Sequence, residues 1–270
     1  MNRLTVLMAV HNGERFVREA IDSILAQDFG DFAFHIIDDA SADGTGDVLS
    51  HYARADSRVR VVRYDTNRGL GACLAEGTLS CQSEWIARMD ADDVSASNRF
   101  SRQFEFLREH PELDVFGTWV EEIDEAGRSL GVRRYPTDEA SIKRTVWTNP
   151  FKHSSVFLRK SALLRVGSYN PLLRKRQDYE LWFRCVAGGL RLANLGEPLT
   201  KYRFSADYFQ RNNLRVSWDS VKIGWKGCWR VRASPLAWVG VTKPLWVSLV
   251  PPEIRPRLYR FLYRFDPRHK

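Results

Sequence analysis

Short apolar runs recur through the N-terminal part of the chain, and between them apolar positions return with the period of a helix. Leu4 to Ala9 has the length and unbroken apolar character of a buried strand, and Asn12-Gly13 breaks it. Phe16, Val17, Ala20, Ile21, Ile24 and Leu25 then follow at helical spacing. Ala33 to Ile37, Val59 to Arg63 and Trp85 to Met89 predict three more strands. The second strand ends in Asp38-Asp39, and the fourth ends in Asp90, Asp92 and Asp93. Strands alternating with helices predict an α/β fold with a mainly parallel sheet covered on both faces. Ligands of such sheets lie outside the carboxyl ends of the strands, so both acidic strand ends are expected to face one crevice.

From Phe104 onward the pattern is mixed. Val115 to Val120 and Leu130 to Tyr135 read as strands around a turn at Glu125-Ala126-Gly127. Lys160 to Val166 and Asp178 to Ala187 read as helices, and Arg191 to Leu195 and Leu199 to Phe204 as extended segments. There is no internal repeat and no low-complexity linker. Composition shifts once, near Ser205 to Asn213. This divides the chain into residues 1–205, with a nucleotide half (1–110) and an acceptor half (111–205), and a helical tail, 206–270.

Charge sharpens that boundary. Residues 211–270 hold thirteen Lys/Arg against three Asp/Glu, leaving twenty-eight against thirty in residues 1–210. Five of the nine Trp also fall in the tail. Trp218, Val221, Trp225 and Cys228/Trp229 recur at helical spacing beside Lys222, Lys226 and Arg230. Leu258, Phe261, Leu262 and Phe265 do so beside Arg257, Arg260 and Arg264. Basic amphipathic helices of this kind suit an anionic membrane surface, although the same aromatic stripes could simply pack on the rest of the protein. The longest apolar stretch, Leu236 to Val250, is interrupted by Lys243-Pro244 and is too short to span a bilayer. With a strand directly at the N-terminus and no leader pattern, the expected location is cytoplasmic, at the inner face of the plasma membrane. Cys73, Cys81, Cys185 and Cys228 form no C-x-x-C pair and read as reduced, buried bystanders.

The candidate chemistry lies in the acidic strand ends. In Asp90-Ala91-Asp92-Asp93, carboxylates on one tight turn repel each other unless a cation intervenes, and oxygen-only donors suit Mg²⁺ or Mn²⁺. A solvated turn capping the next helix is the plainer alternative. The Asp38-Asp39 pair could accept hydrogen bonds from a nucleobase imide or ribose hydroxyls, while Ser41, Asp43 and Thr45 read as turn residues. Arg68, in Asn67-Arg68-Gly69, adds a cation at the same sheet edge. No G-x-G-x-x-G or G-K-[S/T] loop is present, which disfavours dinucleotide oxidoreductases and P-loop enzymes. Asp178 opens a helix, where an anion is favoured by the helix dipole, and it serves as a cap or as a general base. His153 precedes an apolar strand and reads locally as a structural histidine.

Taken in order, these blocks resemble a family 2 glycosyltransferase of the GT-A fold, from Leu4 to about Arg203. The resemblance rests on Val6 to Asn12, Ser23 to Gln27, Asp38-Asp39 through Gly44-Thr45, Asn67-Arg68-Gly69, Asp90 to Asp93, Gln103, Gly167-Ser168-Tyr169 and Asp178 to Arg184. It implies inverting, metal-dependent transfer from a nucleoside-diphosphate sugar, with UDP the commonest nucleotide. Ala9, His11, Asp38, Asp39 and Arg68 then correspond to nucleotide-binding positions. Asp92 corresponds to the metal ligand (Mn²⁺ or Mg²⁺), with Asp90 nearer the ribose or sugar, and Asp178 to the catalytic base. His153, Gln177 and Trp182 fall on the acceptor side, where Gln177 replaces the more usual acidic neighbour of the base. The absence of a Q-x-x-R-W motif points away from processive synthases and toward single additions to a glycan or lipid-linked acceptor. A sugar nucleotidyltransferase would need a basic, Gly-rich N-terminal signature that His11-Asn12-Gly13-Glu14 does not provide. A nucleic-acid-binding module would use the tail, but the acidic crevice would repel a phosphate backbone, so no nucleic acid is expected.

Overall fold

The computed structural model describes residues 2–204, 213–251 and 254–255. Its first four strands, β1 (Leu4–Val10), β2 (Phe32–Asp38), β3 (Val59–Arg63) and β4 (Trp85–Asp90), are parallel and lie in the order β3-β2-β1-β4. Helices α1 (Val17–Leu25), α2 (Thr45–Ala55) and α3 (Leu70–Ser80) connect them. All seven positions of β1 are buried, as the unbroken apolar run requires of a central strand. Strand alternation sends Leu4, Val6, Met8 and Val10 into one core with Val17, Ala20, Ile21 and Ile24 of α1. Leu7 and Ala9 face the opposite core, with Cys73 and Leu74 of α3.

Beyond β4 the sheet continues through β8 (Phe157–Arg159), β6 (Val115–Ile123), β9 (Leu192–Arg203) and β5 (Val94–Ser95), with β7 (Ser129–Arg133) paired to β6. The β6–β9 ladder is parallel, whereas β8 runs antiparallel to both its neighbours. Helices α4 (Arg99–Glu109), α5 (Glu139–Thr145), α6 (Lys160–Arg165) and α7 (Gln177–Ala187) complete this half. The two extended segments read between Arg191 and Phe204 are one strand, β9. The register against β6 jumps from Thr118–Leu195 to Trp119–Pro198, leaving Gly196 and Glu197 as an irregularity that absorbs a proline unable to donate to the ladder.

The tail begins, within the described residues, with α8 (Leu214–Arg230), α9 (Pro235–Gly240) and α10 (Lys243–Leu249). Helix α8 docks through small residues: Ser217, Ser220, Gly224 and Gly227 are buried together with Val221 and Cys228. A Cβ on Gly227 would meet the Phe183 ring at 2.3 Å, and one on Gly224 would lie 2.9 Å from the Tyr179 hydroxyl. Cys228, Ala237 and Val241 accordingly join the same core as α7. The aromatic stripe read from the spacing divides here. Val221 and Cys228 point inward, while Trp218, Trp225 and Trp229 stay exposed. The second amphipathic stretch, Leu258 to Phe265, lies outside the described residues. All four cysteines are buried and unpaired, and burial pushes the Cys81 and Cys228 thiols up to about 11.

Candidate active site at the carboxyl ends of the strands

Register aligns the two acidic strand ends. Val10 pairs with Asp38 on one side of β1, and Ala9 with Asp90 on the other. The loops leaving β1 and β2 are tied together. Asn12, in a left-handed conformation (φ 52°), donates its backbone N–H to Ser41 Oγ (2.9 Å) and accepts from Ala42 N–H (2.8 Å), and Gly13 N–H donates to Thr45 Oγ1 (2.8 Å). Ser41 and Asp43 are thus loop residues, as their local sequence suggests, whereas Thr45 is the first residue of α2 and donates to Asp43. Asp38 is fully buried, accepts from Ser41 N–H (2.9 Å) and lies 3.5 Å from Arg63, so it shapes the loop from beneath. The exposed His11 holds Nδ1 2.8 Å from the Asp39 carbonyl oxygen.

Asp39 accepts from two consecutive backbone amides, Arg68 N–H at 2.7 Å and Gly69 N–H at 2.8 Å. A carboxylate offers about four acceptor directions, so capacity remains for a ligand donor. The Arg68 side chain lies over the Tyr64 ring (4.5 Å) and pairs with Glu76 (2.7 Å). Burial first, and the neighbouring Asp39 second, push the Cys73 thiol up to about 12, which makes it inert. The 67–71 loop fits closely against residues 170–174. Gly69 (φ +88°) abuts Arg174, and a Cβ on Gly71 would lie 2.3 Å from the Leu173 carbonyl oxygen. Asp39 and the loop that leads into α7 therefore belong to one continuous wall.

The Asp90–Asp93 turn brings three carboxylates together, with ligand oxygens within 4.8 Å of one another. Their environments differ. Asp90 is paired with Arg88, which is fully buried. Burial works to raise the Asp90 carboxyl, but Arg88, Lys152 and His153 outweigh it and hold it below the usual carboxylate range. Asp93 accepts from Ser154 Oγ and from Arg203 N–H (2.9 Å). Burial pushes Asp93 up to about 7, against the pull of Lys152 and with Asp92 and Asp90 adding to the rise. Asp93 is thus tied into the scaffold, whereas Asp92, half-buried, is anchored through its backbone carbonyl by Arg203 Nε (2.9 Å). This donor set, oxygen-only and anionic with one neutralising arginine, fits a hard divalent cation.

Asp178 sits in the first turn of α7, one residue beyond Gln177, which follows Arg176 in a left-handed conformation (φ 62°). Its Oδ2 accepts from the Asn149 side-chain amide at 3.0 Å. His153 is buried, with Nε2 2.9 Å from the Tyr169 hydroxyl. Burial foremost, and Arg88 next, pull its imidazole down to about 4, while Asp178 and Asp90 both act to raise it. His153 is thus neutral at physiological pH; its neighbour Ser154 bonds Asp93, and its ring packs edge-on against Trp182 of α7. Trp182 is fully buried and packs edge-on against His153 and tilted against Phe151 (centroids at 6.1 and 4.9 Å), so it meets the site from behind His153. Gln177 is also buried, and its Oε1 has no hydrogen-bond partner among the described residues.

Several residues of this site escaped the reading of the sequence. Arg88 gave a signal, a lone cation inside an otherwise apolar strand. Asn149, Lys152 and Arg203 gave none, since each acts on a partner distant in sequence. Arg203 joins three partners: its side chain reaches Glu19 (2.6 Å) and the Asp92 carbonyl oxygen (2.9 Å), and its backbone N–H donates to the Asp93 carboxylate (2.9 Å). Lys152 Nζ lies 3.1 Å from the Tyr202 ring centroid and 4.0 Å from Asp93. Behind the turn, Arg99 donates to the Arg88 carbonyl (3.1 Å), and Gln103 donates to the Ser155 carbonyl (3.0 Å).

The family model "Glycosyl transferase family 2" matches residues 5–175. EpsE of Bacillus subtilis (strain 168), a glycosyltransferase by its name, is 32% identical over 262 residues, covering 96% of this chain and 93% of its own. The UDP-Gal:alpha-D-GlcNAc-diphosphoundecaprenol beta-1,3-galactosyltransferase of Escherichia coli is 25% identical over 271 residues, 97% of each chain. Among solved structures, residues 1–349 of S. aureus TarS in complex with UDP-GlcNAc superpose with a TM-score of 0.70 at 18% identity, over 92% of this chain and 71% of that one. The mannosyltransferase PcManGT of Pyrobaculum calidifontis, in complex with GDP-Man and Mn²⁺, superposes with a TM-score of 0.66 at 16% identity, over 99% and 82%. These likenesses show the GT-A fold, and the family match over most of the chain shows the lineage: this protein belongs to glycosyltransferase family 2.

Proposed function

We propose that the protein transfers a sugar from a nucleoside-diphosphate sugar, a UDP-sugar in the first instance, to a hydroxyl of a lipid-linked glycan, with inversion at the anomeric carbon. The reaction would serve cell-surface polysaccharide synthesis at the inner face of the plasma membrane. One observation supports the reading: the segment His153-Ser154 contacts both the acidic turn, through Ser154 and Asp93, and α7, through His153 and Trp182, and on that basis we group the Asp90–Asp93 turn with Asp178 in one site. The family's E. coli relative, whose name specifies a diphosphate-linked lipid acceptor and a UDP-sugar donor, supports the choice of substrates.

In this reading Ala9, His11 and Asp39 form the seat of the nucleobase and ribose, Asp38 supports their loop from beneath instead of touching the nucleotide, and Arg68 lies beside the nucleotide. Asp92 and Asp90 would hold Mn²⁺ or Mg²⁺. When bound, that ion supplies Lewis-acid neutralisation of the charge on the departing diphosphate. Lys152 and Arg88 keep the acidic turn compact by offsetting its charge. On the acceptor side, Asp178 takes the proton of the attacking hydroxyl while the bond from the anomeric carbon to the diphosphate oxygen breaks on the opposite face. A single displacement inverts the configuration. His153, neutral, adds no competing charge, and the unpaired Gln177 Oε1 is a ready acceptor for a bound hydroxyl.

Thermal-shift screening of nucleoside diphosphates and their sugars with Mn²⁺ identifies the donor. NMR of the product then reads the anomeric configuration. Retention of configuration, or no transfer from any nucleotide sugar to a diphosphate-linked lipid glycan, would overturn this proposal.

A further inference from the structure

Helix α8, which packs against both α7 and α10, has one committed face and one that carries partly exposed aromatic rings. The committed face is the small-residue side against Tyr179, Phe183 and Val241. The other carries Trp218, Trp225 and Trp229, and Trp229 is 78% exposed. Trp218 and Trp225 stand edge to face with centroids 6.1 Å apart, and Lys222 Nζ lies 5.8 Å from the Trp218 ring centroid. The rings thus support one another on the surface rather than reaching into the core. Exposed aromatic clusters of this kind mark interaction sites in soluble domains.

We propose that this face is a docking surface for anionic phospholipid bilayers. It deepens the lipid-linked-acceptor reading, and its use in catalysis rests on that reading. The partner is identified by charge and by ring chemistry. Helix α8 carries Arg215, Lys222, Lys226 and Arg230 against one acid of its own, Asp219, and of these cations Arg230 lies 3.9 Å from Glu180 of α7. Indole rings, apolar with one polar edge, settle at the headgroup level, and interleaved lysines bind anionic headgroups. A second copy of the same face would set lysine against lysine, which disfavours self-association. A nucleic-acid duplex would pair with the cations and leave the indoles in water.

The surface is also well placed. Helix α8 packs directly on α7, the helix whose first turn holds Asp178. Packed helix axes lie about 8–10 Å apart. Gly240 of α9 lies against the Trp147 ring, two residues before Asn149, the residue that hydrogen-bonds Asp178. A bilayer seated on α8 is therefore separated from the base by one helix layer, within reach of an acceptor whose lipid anchor stays in the membrane.

Flotation of the full chain with vesicles of equal parts phosphatidylglycerol and phosphatidylcholine, together with tryptophan emission, tests the surface. Binding is expected with a blue-shifted emission, and it should be weak with phosphatidylcholine alone. The double variant Trp225→Ser/Trp229→Ser removes exposed rings only and should bind these vesicles about tenfold or more weakly. Lys222→Glu/Lys226→Glu should lose a comparable factor together with much of the salt sensitivity. The thermal shift given by UDP and Mn²⁺, read on the same samples, should be unchanged in both. Wild-type flotation by the tryptophan variant, concentration-dependent dimers that disappear in it, or binding to duplex DNA without binding to vesicles would each overturn the docking surface. A wild-type chain that binds vesicles but shows no nucleotide shift would instead count against the transferase reading.

Discussion

Asn149 donates its side-chain amide to Asp178 across 3.0 Å, bridging 29 positions of sequence, and does so from a left-handed backbone conformation (φ 61°) at the end of a 3-10 turn. The bond engages one carboxylate oxygen and orients the other. The turn that carries Asn149 is held by Tyr179, whose hydroxyl donates to the Trp147 carbonyl oxygen at 2.9 Å. The proposed base is therefore positioned by the residue next to it in α7, acting through the turn.

Replacing Asn149 tests that arrangement. Asn149→Ala should lower kcat about tenfold or more with little change in donor KM, since the bond orients the base and touches no nucleotide. Asn149→Asp replaces the donor with a second carboxylate, removing the bond and adding repulsion, so it should lower kcat at least as far as Asn149→Ala. Wild-type kcat in both variants would argue that the two side chains are not coupled during turnover.

Asp178→Asn should fold and bind nucleotide as the wild type does, because the amide keeps the shape of the side chain. Transfer should fall by a factor of about 100 or more, since the amide that replaces the carboxylate cannot take the proton. Single-turnover transfer at the wild-type rate would remove Asp178 from this role.

Asp92 and Asp93 should separate binding from folding. Asp92→Ala should weaken Mn²⁺-dependent UDP binding about tenfold or more by calorimetry and leave thermal unfolding nearly unchanged. Asp93→Ala strands Ser154 and the Arg203 amide in a buried setting, so it should lower stability by about 1–3 kcal/mol. The reverse pattern would exchange their roles.

The seam between the tail and α7 can be tested through one glycine. Gly227→Ala places a methyl group 2.3 Å from the buried Phe183 ring and should destabilise the protein by about 1–3 kcal/mol, seen as a lower unfolding temperature. Gly30→Ala meets nothing within 4 Å and should stay within about 1 kcal/mol of wild type. Equal unfolding temperatures for the two variants would mean that α8 does not dock on α7 in solution.

Local pattern revealed a good deal of this protein. The run Val59 to Arg63 coincides with β3, and the apolar stretch of β1 matches a strand buried along its whole length. The acidic strand ends could be placed at one edge because parallel topology leaves little choice. The family, too, was legible, since its blocks occur in order. The interruption at Gly196–Pro198, by contrast, concealed that two extended runs form one strand. A ladder continuing across an irregularity depends on its neighbour, β6, and not on the strand's own residues.

Residue type and spacing were thus enough to establish where the strands run, which acids lie at their ends and that the tail is basic and aromatic, because these follow from hydrophobic period and chain direction. Which carboxylate is free to act depended on folding. Asp38, Asp93 and Asp178 look alike in sequence, yet the first is buried against Arg63, the second is held by Ser154 and Arg203, and the third accepts from Asn149 at the start of α7. The same holds for the tryptophans of α8, which spacing places on one stripe with Val221 and Cys228. Glycines at 224 and 227 let the helix sink onto α7 along its narrow side, and that close approach leaves the indole rings outside. Desolvation, hydrogen-bond partners and steric fit are properties of neighbours brought together from distant positions, and a linear pattern does not encode them.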